Sequence, residues 1–378
     1  MNGDGRSLEV LALEPYDTGS HRCVRESLSR WSRHRWRWFT RPGRGWKWRM
    51  RLGAAELIDQ ARSCGAFDEP IDVIVATSLL GAADLRGLLP AGWRETPIVL
   101  YMHENQAAYP SSGNPKVDQE RDVHFAVTNL TSVLAADLVI FNSLWNKESL
   151  LGGLKSILRR AAAVQLGDWE RQVAETSRVI WPPVEPPPAE LKSAIAAKID
   201  GADSGPALHN TVNVVWPHRW EHDKGPQELL EIAGRFSDSL DLRWTILGWR
   251  FPECPPALAE FERRFADRID HIGYEPDRGR YWEHLVRCDW VLSTARHEFF
   301  GIGVVEALLA GCLPWLPDRL SYRELLPEQA RGLSPVKPPA DPRGLRRAIQ
   351  SHLEPALAPR AVERIDQAIE EAVEAAGR

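Results

Sequence analysis

Val212-Asn213-Val214-Val215-Trp216-Pro217-His218-Arg219-Trp220-Glu221-His222-Asp223-Lys224-Gly225-Pro226 carries an apolar run into a polar, charged turn that precedes a helical pattern. The run is nearly continuous rather than alternating, as a strand buried on both faces requires. Similar short runs recur on either side. The first half offers Leu8–Leu13, Ile71–Ala76, Ile98–Met102, Leu138–Phe141 and Val179–Trp181. The second half offers Val212–Trp216, Arg243–Leu247, Ile269–Ile272, Trp290–Ser293 and Leu313–Leu316. Helical segments between the runs make each half a doubly wound α/β unit with a parallel sheet.

Trp181-Pro182-Pro183-Val184-Glu185-Pro186-Pro187-Pro188 is stiff and extended, and the hinge is placed there. The chain is thus expected to divide into a first Rossmann-like domain over 1–185 and a linker over 186–210. A second Rossmann-like domain follows over 211–340, and then a helical tail over 341–378.

With 378 residues there is length for two cores. Hydrophobic content of 43% and charged content of 26% belong to a globular chain. No apolar run reaches the roughly 18 residues that span a bilayer, so membrane insertion is not expected. The first residues lack an apolar signal core. The cysteines at 23, 64, 254, 288 and 312 are scattered and odd in number, which reads as reduced, buried thiols in a cytoplasmic protein. Net charge is only −5, but Arg30 to Arg51 holds eight arginines, one lysine, five tryptophans and no acid. Trp46-Lys47-Trp48-Arg49 lies within that block. Interleaved indole and guanidinium groups suit unpaired bases and phosphates, and a membrane surface attracts the same composition. A solvated basic face whose tryptophans cover a sheet is the plainer alternative.

Several loops are candidates to carry chemistry. In the quoted stretch, Arg219 and Lys224 bring a guanidinium fork and an ammonium to one turn, both suited to phosphate oxygens. They could equally pair with Glu221 and Asp223 at the surface. His297-Glu298-Phe299-Phe300-Gly301-Ile302-Gly303-Val304-Val305-Glu306 puts one carboxylate before a helix start and another about two turns in, on nearly the same side. Free amides at such a start bind anions. Two acids flanking an anion site suit a nucleotide-sugar, whose diphosphate joins two hydroxyl-rich rings. In the first half, Gly19 lets backbone approach a ligand closely. Tyr101-Met102-His103-Glu104-Asn105-Gln106 sets an unusual polar cluster directly after a strand. Asn142 and Ser143 read better as helix caps than as cleft residues. No D-x-D metal motif appears, so cations and helix amides would neutralise the departing diphosphate, with no metal.

Arg-x4-Lys followed by Glu-x7-Glu resembles the retaining family-4 glycosyltransferases, whose GT-B architecture sets two Rossmann-like domains across a central cleft. The wider set resembles one narrower group, the tRNA-queuosine α-mannosyltransferases. It comprises Pro15-Tyr16 to Ser20-His21, Trp46 to Arg49, His103 to Gln106 with Tyr109-Pro110, Arg121-Asp122, Phe141-Asn142-Ser143, Trp216 to Lys224 and His297 to Gly301.

The resemblance implies retaining transfer of mannose from GDP-mannose to the cyclopentene-diol of queuosine in the anticodon of tRNA-Asp. Arg219 and Lys224 would hold the diphosphate, assisted by amides of Phe300, Gly301 and Ile302. Glu298 would bind sugar hydroxyls and Glu306 the ribose diol, with Tyr274 bordering the nucleobase. Gly19 and Ser20 would face the donor from the first domain, and His103 the transferred sugar. His21, Trp46, Lys47, Trp48, Arg49, Asn105 and Gln106 would meet tRNA. The Arg30–Arg44 region is longer and more basic than the group leads one to expect, which weakens the acceptor more than the reaction type. Competing readings are a lipid- or glycan-directed family-4 transferase, a catalytically silent RNA-binding protein, and a nucleotide-sugar epimerase. Nothing in the sequence sets the oligomeric state.

Overall fold

The apolar runs close into two fully parallel sheets. In the computed structural model, which describes residues 6–108, 123–161, 164–201, 211–250 and 254–377, the first sheet has strand order β2-β1-β3-β4-β5-β6. Its strands are β1 (Glu9–Asp17), β2 (Arg35–Pro42), β3 (Val73–Thr77), β4 (Ile98–Met102), β5 (Leu138–Phe141) and β6 (Ser177–Val179). The connecting helices are α1 (Gly19–Trp31), α2 (Trp46–Ser63), α3 (Ala82–Leu88), α4 (Val123–Ala135), α5 (Leu144–Arg160) and α6 (Trp169–Glu175). Ser143 caps α5 through its Oγ, which accepts from the Asn146 amide at 2.9 Å.

The second sheet, in the order β11-β10-β7-β8-β9, uses β7 (Thr211–Pro217), β8 (Asp241–Leu247), β9 (Ile269–Gly273), β10 (Trp290–Leu292) and β11 (Leu313–Trp315). Its helices are α7 (Lys192–Asp200), α8 (Pro226–Phe236), α9 (Pro256–Arg264), α10 (Arg278–Arg287), α11 (Ile302–Leu309), α12 (Tyr322–Leu325) and α13 (Pro342–Leu353). The last helix, α14, spans Ala358–Ala376. Each sheet reverses direction of winding once, between β1 and β3 and between β7 and β10. Ligands in such sheets bind beyond the strands' carboxyl ends at these points.

Three expectations need correction. The chain forms two compact units, one of 1–184 with 356–378 and one of 185–355, so the supposed tail is divided. Helix α13 stays with the second unit. Helix α14 returns to the first, where Val362, Ile365 and Ile369 pack with Val10, Val24, Val75 and Ile140. Asp366 fixes it further by accepting from Ser32 Oγ at 2.7 Å and the Arg33 amide at 3.0 Å. Second, the supposed linker contains α7, which Lys198 and Asp200 tie to the second unit through the Cys288 carbonyl and Arg347. Third, Cys23 and Cys64 are exposed rather than buried, and none of the five cysteines forms a disulfide among the described residues.

Strand β2 was missed because its residues read as charge. Arg-Trp-Arg-Trp alternation is a strand period of two, and Trp36 and Trp38 pack against the core. Tyr109, Pro110, Arg121 and Asp122 lie outside the described residues. No described helix is long and apolar enough to cross a membrane.

Candidate active site

The site in the second unit grows from the winding reversal between β7 and β10. His218, one residue beyond β7, is buried and lies 2.9 Å from Ser293 Oγ at the end of β10. Ser293 Oγ is in turn 2.7 Å from the Tyr322 hydroxyl. The loop after β7 is laced to the loop after β10. Thr294 Oγ1 donates to the Lys224 carbonyl at 2.8 Å, and the Arg296 amide donates to the Asp223 carbonyl at 2.8 Å. Gly225 takes a left-handed φ of +67°, and a Cβ there would lie 2.1 Å from the Thr294 carbonyl oxygen. Only glycine fits this close approach.

Lys224 is the centre of this unit's charge. Its Nζ donates to the His297 carbonyl at 2.8 Å and meets Glu298 at 3.2 Å and Asp223 at 3.1 Å. Its side chain is only 8% exposed. Burial opposes its charge, but Glu298 and Asp223 outweigh burial and raise its pKa. Burial likewise opposes the charge on Glu298, and Lys224 prevails, holding the acid below its usual range. The pair is therefore charged at neutral pH.

Arg219 is half-exposed and pairs with Glu221 at 3.1 Å. The surface pairing weighed for these cations thus holds for Arg219, whereas Lys224 meets its acids in the interior. Gly301, at φ +93°, opens α11, whose first amides (Ile302 among them) have no acceptor within the helix. Ser321 Oγ donates to the Phe300 carbonyl at 2.9 Å, fixing the turn.

Glu306 is buried on α11 and has partners of its own: Arg278 Nη2 at 2.6 Å and the Tyr281 hydroxyl at 2.7 Å. The two acids of Glu-x7-Glu therefore engage different residues. Tyr274 beyond β9 is 57% exposed and packs edge-on with Trp249 beyond β8, itself 52% exposed, at 5.0 Å between centroids. Trp249, Arg278 and Tyr281 escaped the sequence reading. The aromatic-after-strand position of Trp249 was the available signal.

Burial pulls the His218 pKa from its ordinary 6.5 down to about 4, with Glu298 opposing and Lys224 assisting. A depressed folded-state value means that acid protonates the unfolded chain first. The resulting stability is present above pH 6.5 and is lost as pH falls towards 4. Urea unfolding of His218→Gln should lack about 2 kcal/mol of the decline the natural protein undergoes between pH 7 and pH 5.

In the first unit, the carboxyl ends of β1 and β4 bring together Glu14, His21 and His103, all buried. His21 Nδ1 lies 3.0 and 3.1 Å from the two oxygens of Glu14. The His21 and His103 rings stack at 3.9 Å. Burial, and then His21, push His103 well below the usual imidazole range, so its ring is neutral at physiological pH. Among the described residues these three have ligand atoms within 4.8 Å of one another, close enough for a metal ion to be considered. His21 Nδ1 is thus within hydrogen-bonding distance of both Glu14 oxygens.

Two of the residues expected to meet RNA are corrected here. His21 is buried against Glu14. Asn105 is fully buried, donating to Asn146 Oδ1 at 2.9 Å and Ser149 Oγ at 3.1 Å. Gln106 is half-buried and donates to Glu104 at 2.9 Å. Gly19 and Ser20 are exposed at the start of α1, with Gly19 at φ +51°.

The basic block also changes meaning. Arg33, Arg35, Arg37, Arg41 and Arg49 pair with Glu370, Glu9, Glu69, Glu56 and again Glu56. Trp46 turns inward onto Phe125 at 5.1 Å. What faces outward at the start of α2 is Trp48, 72% exposed, with Lys47 and Arg51 beside it.

The model of the tRNA-queuosine alpha-mannosyltransferase N-terminal family matches residues 9–184. A tRNA-queuosine alpha-mannosyltransferase of Drosophila melanogaster is 30% identical over 327 residues, covering 85% of this chain and 82% of the relative. The chain belongs to the tRNA-queuosine alpha-mannosyltransferase family. A GDP-mannose:cellobiosyl-diphosphopolyprenol alpha-mannosyltransferase of Xanthomonas campestris is 27% identical over 119 residues, 30% of this chain and 31% of that protein. Among solved structures, Anabaena Alr3699/HepE in complex with UDP and glucose superposes with a TM-score of 0.54. It has 17% identity and covers 97% of this chain and 100% of its own. Family membership makes the chain a glycosyltransferase, and the fold is GT-B: two α/β domains, each on a parallel sheet.

Proposed function

We propose that this member of the family moves a mannosyl group from GDP-mannose to the cyclopentene-diol of queuosine in the tRNA-Asp anticodon, with retention of configuration and without membrane insertion, in the cytoplasm. The observation that carries the donor half is the pairing of buried Lys224 with partly buried Glu298 at the β7/β10 reversal. A buried cation already matched by acids, beside a half-exposed arginine and a helix start, suits a diphosphate flanked by hydroxyls. Donor and acceptor identity draw support from the activities of the Drosophila tRNA-queuosine alpha-mannosyltransferase and the Xanthomonas GDP-mannose-dependent alpha-mannosyltransferase.

In this reading Lys224 and Arg219 stabilise the charge that grows on the departing diphosphate, together with amides of Phe300, Gly301 and Ile302. Glu298 binds the sugar hydroxyls, and Glu306 the ribose. The leaving phosphate takes the acceptor's proton, so no protein nucleophile is needed. His103, neutral and stacked on His21, is the first unit's residue for the transferred sugar, and Gly19 and Ser20 are its residues for the donor. The first unit receives tRNA through Trp48, Lys47 and Arg51 on α2, with Gln106 as a further contact.

The test is mass spectrometry of nucleosides from tRNA incubated with purified protein and GDP-mannose. A hexose increment on queuosine-containing tRNA, absent from queuosine-lacking tRNA, is expected. Transfer to both, or to neither, would defeat the proposal. NMR of the product's anomeric centre checks retention; an inverted product would instead make His103 the general base.

A further inference from the structure

Glu306 is buried with each carboxylate oxygen bound once, Oε1 by Arg278 and Oε2 by Tyr281. A carboxylate oxygen has two acceptor directions, so one remains on each. The carboxylate thus keeps acceptor capacity on both oxygens, as a vicinal diol with two O–H donors requires. Both clamping residues come from the first turn of α10, whose start is held in place: Asp277 caps it by accepting from the Arg280 amide at 2.8 Å. The Arg278 guanidinium lies 4.8 Å over the Tyr281 ring, so the two groups brace one another. Arg278 also supplies the cation without which a buried carboxylate is costly.

We propose that Arg278 and Tyr281 are positioning residues for the donor's ribose, fixing Glu306 so that its two remaining acceptor sites meet the 2′- and 3′-hydroxyls. This rests on the assignment of Glu306 to the ribose. It predicts that the clamp acts on the nucleotide only through the diol.

Calorimetric titration of the full chain with GDP and with 2′,3′-dideoxy-GDP tests it. The natural protein should favour GDP by roughly tenfold or more, as two hydrogen bonds to a charged acceptor allow. In Arg278→Ala and Tyr281→Phe that preference should shrink towards unity while affinity for the dideoxy nucleotide stays the same. Arg278→Lys, which keeps the charge, should recover part of it. Equal weakening of both nucleotides, or an unchanged preference, would overturn the clamp. A natural protein that binds neither nucleotide, or a Glu306→Gln variant that keeps the full preference, would overturn the ribose assignment itself.

Discussion

Lys224→Ala should lower kcat by about two orders of magnitude, because removing one preorganised group that stabilises developing charge typically costs about 3 kcal/mol. The effect should fall on turnover more than on donor affinity, since the charge on the leaving diphosphate grows as the glycosidic bond breaks. A simple loss of fold has to be separated from this. Lys224 is the cation for Glu298 and Asp223, and leaving partly buried acids unmatched destabilises by several kcal/mol. The double variant Lys224→Met with Glu298→Gln removes both charges of the Lys224–Glu298 pair. It should recover much of the urea midpoint lost by Lys224→Ala while kcat stays low. Turnover near normal in either variant, measured with saturating GDP-mannose, would remove Lys224 from the diphosphate site.

The second large effect concerns tRNA. Trp48→Ala should weaken tRNA binding roughly tenfold, because stacking of one base on an exposed aromatic ring contributes about 1–3 kcal/mol. Adding Lys47→Ala and Arg51→Ala should weaken it further and flatten its salt dependence, as each phosphate contact contributes to the slope. GDP affinity should not move. Trp46 and Arg49 make the informative contrast: one packs on Phe125 and the other pairs with Glu56, so their loss should cost stability before it costs RNA affinity. Filter binding over a salt series, alongside thermal unfolding, distinguishes these outcomes. Unchanged affinity in the Trp48 variant would remove α2 from the tRNA surface.

Both predictions depend on features of different legibility. The second unit's loop was readable because its chemistry is local. Arg219 and Lys224 stand five residues apart on one turn, directly after an apolar strand, so their proximity needs no tertiary information. The strands were readable for a related reason: a strand covered on both faces must be apolar throughout, and only short apolar runs satisfy that. Ser143 as a helix cap belongs to the same class, a contact three residues long.

The basic block marks where local reading stops. Eight arginines without an acid among them read as a polyanion-binding surface, yet five meet glutamates from elsewhere in the chain, Arg33 meeting Glu370 from the last helix. Charge is counted along a sequence but neutralised in space. Strand β2 was hidden for the same reason, its alternating tryptophans lying among the arginines that its partners neutralise. The return of α14 to the first unit, the stacking of His103 on His21 over Glu14, and the separate partners of Glu298 and Glu306 all join residues distant along the chain. Two parallel α/β sheets and the loop that carries Arg219 and Lys224 are legible from neighbouring residues alone, because buried strands and short turns are specified locally. Which charges stay open to a ligand was decided only by the tertiary structure, because that depends on which acid the fold brings within a few ångströms of each base.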